Sequence, residues 1–174
     1  MNRKCATSSL AGLAVVLLIG WLAVAAPILP SGRKLTVEQR TLRGLKKVRL
    51  EVTPITGELK ENGVRTQTLT DVLEEAMAEF GIQVVDEPDV PLVKVVVFDA
   101  TDPDQPDALA ISFVIAIHQD IVLKRLDEQM VVPTAFFTQT KLTTKSRASE
   151  MVEYEVRAMT KRVLRIASEA SAAD

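Results

Sequence analysis

The chain is short of the residues that carry most protein chemistry. In 174 residues it has one histidine, one cysteine, one tryptophan and one tyrosine, and aromatics make up only 4%. So few rings leave no stacking platform for bases or sugars. With 21 basic residues against 23 acidic ones, there is no positive excess to hold a phosphate backbone, so a nucleic-acid partner is not expected. A lone cysteine, Cys5, cannot close an intramolecular disulfide, and the fold must rest on packing. No glycine-rich phosphate loop, zinc-ligand spacing or nucleophile elbow occurs. No cofactor and no catalytic or metal-binding residue is assigned.

What the chain does have is a hydrophobic start. Arg3 and Lys4 precede an uncharged run of 17 residues from Leu10 to Ala26. The tripeptide Ala23-Val24-Ala25 places small residues where a signal peptidase needs them, with cleavage before Ala26. Residues 1–25 therefore read as a signal peptide or, if uncleaved, a membrane anchor, because the run is just short of the roughly 20 residues that span a bilayer comfortably. The expected location is export to the periplasm or cell envelope, with inner-membrane anchoring by residues 10–26 as the alternative. Arg33, Lys34, Arg40 and Arg43 follow the run, and positive flanks tend to stay cytoplasmic, so the charge balance does not fix orientation. Cys5 lies before the apolar run rather than after it, which does not suit a lipidated cysteine.

From residue 26 the chain holds about 149 residues, with 19 basic against 23 acidic and a net charge of −4. That length is one domain, large enough for its own core. Residues 26–45 read as a tether, because Pro27, Pro30, Ser31 and Gly32 break structure and polar, basic residues follow. A single α+β domain is expected over 46–170, with a tail at 171–174.

Within that domain the hydrophobic period changes twice. Val48, Leu50 and Val52 alternate with Arg49, Glu51 and Thr53, a half-buried strand. Leu69, Val72, Leu73, Ala76, Met77 and Phe80 fall at helical spacing. Thr68 and Asp71 are placed as a capping pair and Gly81 as a left-handed C-terminal cap. Residues 82–85 and 92–98 read as strands and 102–107 as a polar, proline-stiffened loop. Ile111, Phe113, Ile115, Ile117, Ile121 and Leu123 share one strand face, and residues 132–140 return as a hairpin partner rich in threonine, with Pro133 marking an edge or a bulge. Val152, Val156, Met159, Val163, Ile166 and Ala170 stripe a helix over about 148–170. The order predicts a two-layer α+β sandwich: a mostly antiparallel sheet of four to five strands with two helices on one face, plus the amino-terminal hydrophobic helix.

Three clusters invite a functional reading. His118 and Asp120 are two residues apart on one strand, the minimum for a supported general base, although a surface strand histidine has the same pattern. Asp99, Asp102, Asp104 and Asp107 offer oxygen ligands for calcium, but Pro106 occupies a ligand position and the glycine of the EF-hand loop is missing. Arg33, Lys34, Arg40, Arg43, Lys46, Lys47 and Arg49 suit anionic headgroups if the leader is retained, or a solvated tether and edge strand if it is not.

The strand at 48–52, the helix at 69–80 ending in Gly81-Ile82, and the hairpin near 109–142, behind a leader and tether, resemble small bacterial envelope α+β accessory domains. The Tol-system translocation protein's amino-terminal domain and the lipopolysaccharide-assembly lipoprotein are of this kind. The resemblance is one of layout, and no functional residue is transferred through it. The function expected is a non-enzymatic protein-interaction or assembly module of the envelope, with an envelope protein as partner. Membrane attachment runs through the amino-terminal segment if it is uncleaved. The alternatives are a binder of lipid or another apolar ligand, in a cleft between 111–123 and the last helix, and a hydrolase using His118 and Asp120.

Overall fold

The computed structural model describes residues 35–172. The leader at 1–25, the hydrophobic helix expected there, and Arg33 and Lys34 lie outside the described residues. Four helices and five strands follow in chain order: α1 Val37–Thr41, β1 Lys47–Val52, α2 Gly57–Glu61, α3 Thr66–Glu79, β2 Gln83–Val84, β3 Leu92–Asp102, β4 Gln105–Leu123, β5 Glu128–Thr144 and, after one turn of 3-10 helix at Lys145–Arg147, α4 Ala148–Ala172. The sheet order is β2-β1-β3-β4-β5. β1 runs parallel to both of its neighbours, while β3, β4 and β5 form an antiparallel meander. The sheet is therefore mixed. The antiparallel part dominates by length, and the parallel part arises because β1 is inserted between two strands that come after it in the chain.

One face of this sheet is covered and the other is not. Val93, Val95 and Val97 on β3 pair with Ile117, Ile115 and Phe113 on β4, so all six point the same way, and all six are buried. They meet Leu69, Val72, Leu73, Ala76 and Met77 of α3 and Val152, Val156, Met159 and Val163 of α4, the two stripes that helical spacing predicts. The fit departs from the predicted stripes at their ends. Phe80 is 36% exposed because α3 ends at Glu79 and the chain turns there. Late in α4 the stripe rotates, with Leu164 and Ala167 buried and Ile166 only partly so. Ile121 and Leu123 lie in the part of β4 beyond a bulge at Ile117/His118 and are only half buried.

Local chemistry sets the element ends. Gly81 has φ +70, its N–H donates to the Ala78 carbonyl at 3.0 Å, and the Ile82 N–H reaches back to the Met77 carbonyl at 3.0 Å. That double bond is the Schellman closure that the sequence position of Gly81 predicts. The other end differs from expectation: α3 begins at Thr66 after Arg65, with no side-chain cap, and Asp71 instead accepts from the Gln67 amide one turn earlier, at 2.8 Å. The loop expected at 102–107 is a tight hairpin turn, with Pro106 already inside β4. The N-cap residue of α2, Thr56, makes no side-chain bond. Asp99 on β3 lies near the start of α2, where the Leu59 amide favours its charged form.

The tether reading of 26–45 is corrected over its described part. Thr36 and Gln39 form a reciprocal capping box at 3.0 and 3.2 Å that starts α1. Leu42 is fully buried, the Thr41 carbonyl accepts from Gln119 at 3.0 Å, and the Gly44 N–H donates to Ser171 at 3.0 Å. The folded unit starts at Leu35 rather than at 46. Ser171, placed in a tail by the sequence, belongs to the last turn of α4.

Two predictions follow from these ends. No neighbour lies within 4 Å of a Cβ added at Gly81, so Gly81→Ala is penalised by the left-handed backbone alone and lowers stability by about 1 kcal/mol in urea unfolding, with Gly81→Asn costing less. Burial and then the nearby Glu58 carboxylate raise the Asp99 pKa above the ordinary carboxylate range. Both effects outweigh the opposing pull of its own backbone amide and of the Leu59 amide. In the window from the ordinary value up to the raised one, the unfolded chain releases this proton while the folded chain keeps it, so rising pH removes stability. Asp99→Asn keeps the acceptor and drops the charge. It stabilises the protein at about pH 7, with the gain vanishing below about pH 4; an equal effect at both pH values would refute the assignment.

Candidate functional site

The helix-free face of the sheet is where side chains are left for other partners. The register that buries Phe113 and Ile115 turns Phe98, Ser112, Val114 and Ala116 outward, with Thr140, Thr138 and Phe136 beside them on β5 and Leu142 at the next outward position. Phe98 is 53% exposed, Phe136 62% and Leu142 83%. Polar ties cross this face: Ser112 and Thr140 share a hydrogen bond of 2.9 Å between their hydroxyls, and Lys94 pairs with Glu51 at 2.7 Å. Large exposed apolar side chains grouped on one sheet face are a feature of interaction surfaces rather than of ordinary solvated surface.

At the β1 end of this face lies a cleft of about 330 Å³. Arg49, Leu92 and His118 stand in one row across β1, β3 and β4, and the 88–91 loop with Asp89 and, from β4, Asp120 close the rim. The structure thus brings His118 and Asp120 into one depression, as their spacing suggests, and adds Arg49, which the sequence reads only as a member of a basic run. The Arg49 Nε is buried without a hydrogen-bond partner. The row sets a guanidinium and an imidazole against two carboxylates, a set able to grip a group with both charges or an anionic oxygen on the Arg49 side. The lining contains no serine, threonine, cysteine or tyrosine, and no side chain hydrogen-bonds to the His118 ring among the described residues, so the cleft has neither a hydroxyl or thiol nucleophile nor a group that fixes a histidine tautomer.

The remaining expectations resolve by geometry. The cleft expected between 111–123 and the last helix is filled among the described residues: Ile111, Phe113, Ile115 and Ile117 are at most 2% exposed, and the cavity between Ile115, Ile117 and the helix residues Met77, Val163 and Leu164 is about 10 Å³, room for one water molecule at most. That site for a lipid or apolar ligand is therefore absent. The four aspartates are strung along the β3–β4 hairpin, where Asp99 lies near α2 and Asp102 accepts the Asp104 N–H at 3.0 Å; among the described residues no three His, Cys, Asp or Glu side chains converge on a metal position. The basic run does not form one surface. Arg43 donates to the Ala170 carbonyl at 3.2 Å, Lys47 pairs with Glu87 at 2.9 Å, and Arg49 enters the cleft. No helix among the described residues is long and apolar enough to cross a membrane.

No protein-family model matches the chain, and no curated protein matches it in sequence. Solved structures do. A minor lipoprotein from Acinetobacter baumannii aligns at 14% identity with a TM-score of 0.43, over 72% of this chain and 94% of that one. Rare lipoprotein B from Shewanella oneidensis aligns at 17% identity with a TM-score of 0.38, over 73% and 96%. An uncharacterized lipoprotein B from Nitrosomonas europaea aligns at 10% identity with a TM-score of 0.36, over 71% and 82%. The structural neighbours of this chain are bacterial lipoproteins.

Proposed function

We propose that the chain is a non-enzymatic interaction module of the bacterial cell envelope that holds a protein partner against its helix-free sheet face. The observation that carries this reading is the exposure of Phe98, Phe136 and Leu142 on one face, in a domain whose Ile111–Ile117 core face is filled by helix side chains among the described residues. A face of this composition gains free energy when a partner removes it from water. The hydrophobic start of the sequence supports an envelope location. The cleft's lack of a hydroxyl or thiol nucleophile, and of any side chain bonded to the His118 ring among the described residues, supports a binding role over hydrolysis.

The test is photo-cross-linking in the full chain within cells, with the probe at position 136 or 142, combined with fractionation and amino-terminal sequencing. The expected result is a discrete adduct in the envelope fraction that disappears in the Phe136→Asp/Leu142→Asp variant, while a probe at Arg165 on the outer face of α4 gives none. Both substitutions are at exposed positions, so thermal stability stays within about 0.5 kcal/mol of the original. Adducts that survive the double substitution, or a chain found only in the soluble cytoplasmic fraction, would overturn the reading.

A further inference from the structure

We infer that the outer edge of β5 pairs with the β5 edge of a second copy of this chain, in antiparallel register about Gln139. The inference rests on the interaction-module reading above and names one partner for it.

β5 is an edge strand of the sheet, paired along one side with β4, and among the described residues no backbone hydrogen bond from any element other than β4 reaches Ala135–Thr143. Sheet edges are normally blunted by prolines, bulges, or charges aimed outward. Here those devices are confined to one end. Pro133 and the bulge opposite Ile117/His118 lie before Ala135, and the 3-10 turn begins just past Thr143. Between them the strand carries one charge, Lys141, and that charge is held by the chain's own Glu155 at 3.1 Å. The segment is left ready to pair.

The side-chain order within it is self-complementary. The sequence Ala-Phe-Phe-Thr-Gln-Thr-Lys-Leu-Thr over 135–143 is centred on Gln139. An antiparallel pairing about that residue sets Thr138 opposite Thr140 and Phe136 opposite Leu142 of the second copy. Thr–Thr and aromatic–aliphatic pairs are the cross-strand combinations that stabilise sheets. Phe136 and Leu142, two strongly exposed apolar side chains of β5, thereby cover each other. The two-fold axis stands perpendicular to the sheet, so both helix layers stay on one side and the two helix-free faces join into one, an isologous contact in which the same patch serves both copies.

Charge agrees with the same register. Arg162 of α4 lines a groove with Phe137 and Gln139, is exposed, and has no ion pair among the described residues. The pairing places Phe137 opposite Lys141 of the other copy, whose charge stays with that copy's own Glu155 at 3.1 Å. No two like charges on the strands come into register.

The experiment uses the full chain with Cys5→Ser in mild detergent, which removes the native thiol. Thr138→Cys and Thr140→Cys versions are prepared separately and mixed before mild oxidation. The expected result is a disulfide-linked dimer in the mixture, little in either version alone, and loss of the dimer when Phe136→Glu and Leu142→Glu are added to both. Cross-linking of Thr138→Cys with itself as strongly as with Thr140→Cys would overturn the register. No dimer in the mixture, with the position 136 photo-probe still capturing a different protein, would overturn self-pairing while leaving the interaction module intact. A β5 cross-link to residues 1–34 of the same chain would also overturn it.

Discussion

Everything in this fold depends on burying one face of β3 and β4 under two helices. Ile111, Phe113, Ile115 and Ile117 contribute nearly all of their surface to that layer. A fully buried side chain of this size is worth about 1.5–3 kcal/mol, so the central strand alone provides several times the contribution of any surface contact in the molecule. The near absence of empty space beneath α3 and α4 shows that this gain is taken up by close packing. The same constraint creates the functional surface. Two helices can cover one side of a five-stranded sheet, and no helix of the described chain covers the other. The alternation that makes β4 a good core strand therefore fixes which residues of β3 and β5 are left for solvent or for a partner.

The parts of the fold that repeat with a period were legible in the sequence. The strand at 48–52, the stripes of α3 and α4, the Gly81 cap and the long alternation from Ile111 are each determined by residues close in the chain, and each appears within a few residues of where the pattern places it. What the pattern missed depends on partners far away. Leu42 reads as one apolar residue in a basic stretch, and it is buried only because the turn around it is tied to Gln119, Ala170 and Ser171. Asp99 reads as one of four loop acids, and its burial beside Glu58 exists only once β3 lies beside α2. The two residues of β2 cannot announce that β1 will enter between β2 and β3. The cleft shows the same division. The spacing of His118 and Asp120 put them together, whereas Arg49 joined them through a sheet register that no local signal encodes.

The junction between the core and the exposed edge is a polar cluster at Glu155. This glutamate is 9% exposed, accepts from Gln139 at 2.7 Å and pairs with Lys141 at 3.1 Å. Burying a carboxylate is costly unless its oxygens are satisfied, and here both are, each by a β5 residue. The arrangement adds little net stability, because a buried ion pair repays mainly its own desolvation. What it provides is register. Gln139 and Lys141 can reach Glu155 only if β5 turns its odd-numbered residues inward, and a one-residue slip would leave the carboxylate unpaired while exchanging the two faces of the strand. Glu155 thus makes the wrong face of β5 expensive. Phe136, Thr138, Thr140 and Leu142 are held outward by the same bonds that hold Gln139 and Lys141 against α4, so the interaction surface is as well defined as the core although hardly any of it is buried.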